Sequence, residues 1–164
     1  MGIAFLKQWA QAGVGDQVKL YASAFSVSQD ILPAVGDAAL GVENAAHWSP
    51  DLEAGINPRF VEDFTAEYGR IPSLFAAQGY DTALFVDAAA KAAGSTATDA
   101  LILGLEQASI DGTRGTLRLN TNHFPIQNFY RREVVKDEAG VLTNQIRGTV
   151  YENHEDVFVG ECQM

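Results

Sequence analysis

The chain has 164 residues, 47% of them hydrophobic and 20% charged, a globular composition and long enough for one domain with a substantial core. It carries 11 basic against 21 acidic residues, a net charge of −10 spread as −4 over residues 1–56, −4 over 57–110 and −2 over 111–164. No segment offers a basic footprint, which argues against nucleic acid as a main partner; no apolar run reaches the length of a membrane span; the single cysteine, Cys162, excludes an internal disulfide framework and a multi-cysteine zinc site.

Met1 leads straight into a helical pattern over 1–14, with Ile3, Phe5, Leu6, Trp9 and Ala10 on one stripe and Gly13 and Gly15 as stops. No basic leader or small-residue cleavage site accompanies it, so the expectation is a chain that begins inside a larger domain. Val18, Leu20 and Tyr21 suit a short buried strand. Ser28 is positioned to cap a second helix carrying Ile31, Leu32 and Val35, with Pro33 tolerable only in its first turn. Residues 39–46 are a second strand candidate. Helix, strand, helix, strand is the order of an α/β layer with parallel strands. Pro, Gly and Asp cluster at 47–56, which reads as a crossover.

Three helices are expected next. Asn57 and Pro58 form a start signal, with Phe60, Val61, Phe64 and Tyr68 on one face and Gly69 as the stop. The second runs from near Ser73 past Ala90, with a wide apolar face of Leu74, Ala77, Leu84, Phe85, Ala88 and Ala89. The third is capped by Thr98 and carries Leu101, Ile102, Leu105 and Ala108. From Gly112 the apolar period becomes two, and 137–140 is a hairpin turn, so the chain ends in a β-meander.

Chemical motifs are sparse. Gly13 and Gly15 follow a helix instead of opening one, so they read as a helix stop and not as a phosphate cradle. His47, His123 and His154 have no partner at metal-ligand spacing, and no nucleophile elbow or Walker sequence occurs. No catalytic set, metal or cofactor is expected. Glu62, Asp63 and Glu67 read as a solvated helix face, and Asp81 as a structural hydrogen-bonding group. Ligands of α/β sheets sit at the carboxyl ends of strands and at helix N-termini. Ser23, Ala24 and Phe25, and Phe75 with Gln78 one turn later, fall at such places, although core packing explains Phe75 equally well.

Three stretches in sequence resemble one family. NPRFVEDFTAEYGRIPSLFAAQGYD (57–81), DGTRGTLRLN (111–120) and HFPIQNFYRREVVKD (123–137) are similar to the helical part and two strands of branched-chain-amino-acid-type periplasmic binding proteins of ABC transporters. Thr113 stands where those proteins usually have Pro, and Asn128 where they have Asp. The resemblance implies an α/β fold of the type I periplasmic-binding-protein kind, present here in part: a parallel α/β segment, three helices, then a C-terminal β-meander. It assigns 1–46 to the C-terminal lobe, 47–56 to a hinge crossover, 57–110 to helices of the N-terminal lobe, and 111–164 to a crossover and C-terminal-lobe strands.

The function implied is an extracytoplasmic, periplasmic solute-binding component of an ABC importer, closing about a hinge between two lobes on a small organic acid or amino-acid-like solute and read by a membrane permease. A ligand-sensing domain of a regulator or receptor, or an inactive fragment, are the alternatives; an enzyme is not expected. Amino-acid-binding members place an acidic residue after the strand matching 18–21. Ala24 stands nearest here, and an uncharged residue cannot balance an ammonium group, which favours an organic acid over an amino-acid-like solute. The ligand-binding residues implied are Ser23, Ala24, Phe25, Phe75, Gln78 and His123, Phe75 matching an aromatic that packs on the ligand. Helix faces suited to a sheet the chain does not encode predict self-association.

Overall fold

A computed structural model of the chain describes residues 2–15 and 17–162; the start at Met1 and the last two residues of the ending lie outside these. Helix α1 (Gly2–Gln11) gives way at Gly13, whose φ of +65° a residue with a Cβ would resist. Its inward stripe is narrower than the pattern suggests. Leu6 is buried, but Phe5 and Ala10 stay exposed, because α1 packs on short helical turns and not on a broad sheet face.

Strand β1 (Tyr21–Ser23) is shorter and more exposed than the buried strand expected at 18–21. It forms one edge of the sheet, so Val18 and Tyr21 face solvent. Its neighbour β2 (Glu43–Ala46) runs parallel to it, with Ser23 opposite Ala45, as the α/β order implies. Helix α2 (Leu32–Val35) lies between them, flanked by 3-10 turns at Ala24–Val27 and Gly36–Ala39. Pro33 does sit in the first turn of α2, where a missing N–H costs little. Ser28 does not cap that helix; its hydroxyl donates to Asp30 Oδ2 at 3.2 Å. The strand expected from residue 39 begins later because Ala39 belongs to a 3-10 turn and Gly41, at φ +75°, bends the chain.

Helix α3 (Asn57–Tyr68) is capped by Ile56, not by Asn57. Asn57 is fully buried and holds the 47–56 crossover instead. Its Oδ1 accepts from Trp48 Nε1 at 2.7 Å, and its Nδ2 donates to Leu52 O at 2.8 Å and Ser49 O at 3.2 Å. Helix α4 (Leu74–Ala93) is capped by Ser73, whose Oγ accepts from Ala76 N. Helix α5 (Thr98–Gln107) takes Ala97 as its cap, with Thr98 already helical. The two helices meet closely at Gly104, where a Cβ would stand 2.8 Å from Ala89 O.

The meander is β3 (Ser109–Gly112), β4 (Gly115–Leu119), β5 (Pro125–Lys136) and β6 (Leu142–His154), each antiparallel to the next. It starts slightly before the expected change of period at Gly112. Asp137 shapes the hairpin by accepting from Ala139 N at 3.0 Å and Val141 N at 2.8 Å. The sheet order is β1-β2-β5-β4-β3, with β6 beside β5. Strand β5 is shared: Pro125 and Ile126 pair with β4, and Tyr130 to Glu133 pair with β2.

Burial follows this division. Leu6, Val27, Leu32, Val35 and Val134 form one core beneath α1 and α2. Phe85, Ile110 and Leu117 form another between α4 and the β3–β4 hairpin. A middle core of Trp48, Leu52, Phe60, Leu74 and Tyr130 joins the crossover, α3, the start of α4 and β5. No helix among the described residues is long and apolar enough to cross a membrane.

Candidate functional site

Parallel pairing of β1 and β2 brings their carboxyl ends side by side, and the first half of α4 faces both. Phe25, just past β1, stacks on Phe75 with ring centroids 5.7 Å apart and planes 24° apart. His47, just past β2, meets Gln78 one helical turn along, with Nε2 atoms 3.1 Å apart. Two strand ends thus touch two successive turns of one helix. The stacked pair is not core: Phe25 is 60% and Phe75 51% exposed. Such surface is where a ligand ring would gain by burial. Ser23 Oγ lies 3.0 Å from Ser26 Oγ, and Ala24 is buried among the middle-core residues. Five of the six expected ligand residues therefore come together here.

His123 does not join them. It occupies the β4–β5 turn at φ +61°, with Nε2 3.3 Å from Glu106 Oε1 of α5. It lines a cavity of about 200 Å³ with Ile102, Leu105 and Leu119. The turn that follows β4 holds it beside α5, away from the other five.

Sequence patterns gave His47 no weight, because its partners are distant along the chain. Its ring stands edge-on to Phe129 of β5, with centroids 6.2 Å apart, and His154 of β6 meets the same phenyl ring at 5.5 Å. Burial, first, and the charges of Arg114 and Arg132, second, push its pKa down to about 4, so the ring is neutral at ordinary pH. Arg132 is 2% exposed. Its guanidinium donates to Asn44 Oδ1 at 2.6 and 2.9 Å and to Trp48 O at 2.7 Å, all neutral acceptors. Alternating burial along β5 accounts for its inward position, but nothing in that pattern signals a charge there.

Asp81 is structural, as its sequence context implied. It is fully buried and accepts from Thr113 N at 2.7 Å, Thr113 Oγ1 at 3.0 Å and Arg114 Nε at 2.8 Å. Asp63 is exposed and pairs with Arg59 at 3.3 Å. A concavity of about 650 Å³ lies apart, lined by Asp30, Asp37, Arg70 and Lys136 among others; these four charges pair with one another. Among the described residues no group of His, Cys, Asp or Glu could hold a metal ion.

The family described as periplasmic binding protein matches residues 1–139. Among solved structures, an ABC-transporter solute-binding protein of Rhodopseudomonas palustris in complex with benzoate is 30% identical, with TM-score 0.84; the match covers 99% of this chain and 43% of that one. One from R. palustris BisB5 in complex with 3,4-dihydroxybenzoic acid is 29% identical, with TM-score 0.85, covering 98% and 44%. An ABC-transporter substrate-binding protein from Sphaerobacter thermophilus is 27% identical, with TM-score 0.83, covering 93% and 42%. The chain thus spans less than half the length of these relatives. No curated protein matches it.

Proposed function

Because the chain belongs to the periplasmic binding protein family, we propose that it forms part of the extracytoplasmic solute-binding component of an ABC importer, and that its solute is a small aromatic carboxylate. The observation that carries this reading is the stacked, exposed Phe25–Phe75 pair at the carboxyl ends of the parallel strands. Two aromatic rings held by separate elements offer a flat apolar surface that a benzene ring would cover. The buried, uncharged Ala24 beside them leaves no carboxylate at that position for an ammonium group, which disfavours an α-amino acid. Two relatives near 30% identity are bound to benzoate and to a dihydroxybenzoate, and this chemistry fits the same surface.

The action is closure and not catalysis. In this reading residues 1–46 belong to one lobe and 57–110 to the other, with 47–56 and β5 as crossovers between them. The shared pairing of β5 with β4 and with β2 supports that division. A solute touching both Phe25 and Phe75 touches both lobes, so it favours the closed arrangement by its differential affinity, and a membrane permease would read that state. Isothermal titration with benzoate, 3,4-dihydroxybenzoate and leucine tests the reading. Aromatic acids should bind more tightly than leucine, and Phe75→Ala should weaken them by about tenfold. A preference for leucine, or indifference to Phe75→Ala, would overturn it.

A further inference from the structure

We propose that the ion pair between Asp30 and Arg70 is a latch that holds the two lobes in the arrangement where Phe25 meets Phe75, and so sets how tightly the solute is held. The inference rests on the two-lobed reading above and adds the contact that regulates closure. Arg70 Nη1 donates to Asp30 Oδ1 at 3.3 Å. Among the described residues this is the only side-chain hydrogen bond or ion pair that joins residues 1–46 to residues 57–110. Each partner is supported within its own lobe. Asp30 Oδ2 accepts from the hydroxyl of Ser28, a buried residue, at 3.2 Å. The guanidinium of Arg70 lies over the ring of Phe64, 5.3 Å from its centroid, a position that favours a cation. Less side-chain freedom is therefore lost when the two meet than for a pair of unsupported side chains.

The latch and the aromatic stack join the same two segments. Asp30 is five residues past Phe25, and Arg70 is five residues before Phe75, and those two rings stack at 5.7 Å. One contact alone would let the segments pivot about it; two contacts fix an orientation. The charge pattern gives the pair its importance. Residues 1–56 and 57–110 each carry −4, so the lobes repel one another overall, and a cation facing an anion across their boundary opposes that. At the neighbouring cavity of about 650 Å³, Lys136 and Asp37 satisfy each other at 2.9 Å, so neither competes for Asp30 or Arg70. The Asp30 and Arg70 side chains are 35% and 57% exposed, which keeps the pair weak enough to open and within reach of salt.

Two measurements test this. Spin labels at Lys7→Cys in α1 and Glu62→Cys in α3, both exposed positions, report the distance between the lobes in a Cys162→Ser chain diluted with unlabelled chain. Asp30→Asn combined with Arg70→Gln keeps the net charge and should leave thermal unfolding nearly unchanged, yet lengthen or broaden that distance. Benzoate calorimetry is the second measurement. Asp30→Asn and Arg70→Gln should each weaken benzoate about two- to fivefold, and the double variant no more than either alone. Arg70→Glu should weaken it further, and adding Asp30→Lys should recover part of the loss. The gap between the parent and the double variant should close between about 20 mM and about 0.5 M salt. Unchanged distances, additive losses, or tighter binding without the pair overturn the latch alone. Should benzoate fail to bind while the distance still responds to the pair, the aromatic-acid reading falls and the latch stands.

Discussion

A single imidazole adds a pH dependence to the stability of this molecule. His47 has an ordinary pKa of 6.5, and burial with two nearby guanidiniums holds it at about 4 in the folded chain. Above pH 6.5 the ring is neutral in both folded and unfolded states and contributes no pH dependence. As pH falls toward 4 the unfolded chain takes up a proton that the folded site refuses. Stability should therefore drop through that window, by up to about 3 kcal/mol from this residue. Urea unfolding at pH 7 and pH 4.5 checks it: His47→Phe should lose less stability between the two pH values than the parent, since the carboxylates contribute to both. Equal losses would show that His47 titrates normally. Sequence inspection could not foresee this, because the shift comes first from burial by residues far along the chain and then from the charges of Arg114 and Arg132.

Elements are tied to one another by a few buried polar groups, and these are the weak points of the fold. Asp81 fastens α4 to the turn between β3 and β4 through Thr113 and Arg114. Gly112 is required there, since a Cβ would come 2.5 Å from Asp81 Oδ1. Asp81→Asn removes the charge that balances Arg114, whose side chain is only 9% exposed. It should cost about 3–5 kcal/mol, read from chemical denaturation; a loss below 1 kcal/mol would mean that water or another group replaces the carboxylate. Helices and the meander were legible from period and stops: Gly69 closes α3 and Ser73 caps α4 as the sequence implies. The ends that moved did so for tertiary reasons. Asn57 has the right chemistry for a cap, but Trp48 and the crossover carbonyls compete for its amide and win.

At the scale of the whole molecule, apolar surface remains uncovered. Val86, Ile102 and Leu103 are exposed on α4 and α5, Leu103 at 58%, and the chain spans under half the length of its relatives. Each 100 Å² of apolar surface removed from water contributes about 2.5 kcal/mol, so copies of this chain gain by covering such faces mutually. Light scattering of the isolated chain at micromolar concentration should find oligomers, and Leu103→Glu should reduce them. A dispersed monomer across that range would contradict the expectation.

The sequence by itself determined the α/β order, the three helices, the closing meander and the family, because these follow from local periodicity, turn residues and contiguous motifs. It also placed Phe25 just past a strand and Phe75 in the first turn of a helix, the general positions of ligands on α/β sheets. Only the tertiary structure decided that those two rings stack, that His47 meets Gln78, that His123 goes to the β4–β5 turn beside α5, and that a buried Arg132 donates to the Trp48 carbonyl. Each of these depends on which strand ends become neighbours. That is settled by parallel pairing and by packing between residues dozens of positions apart, about which a local pattern carries no information.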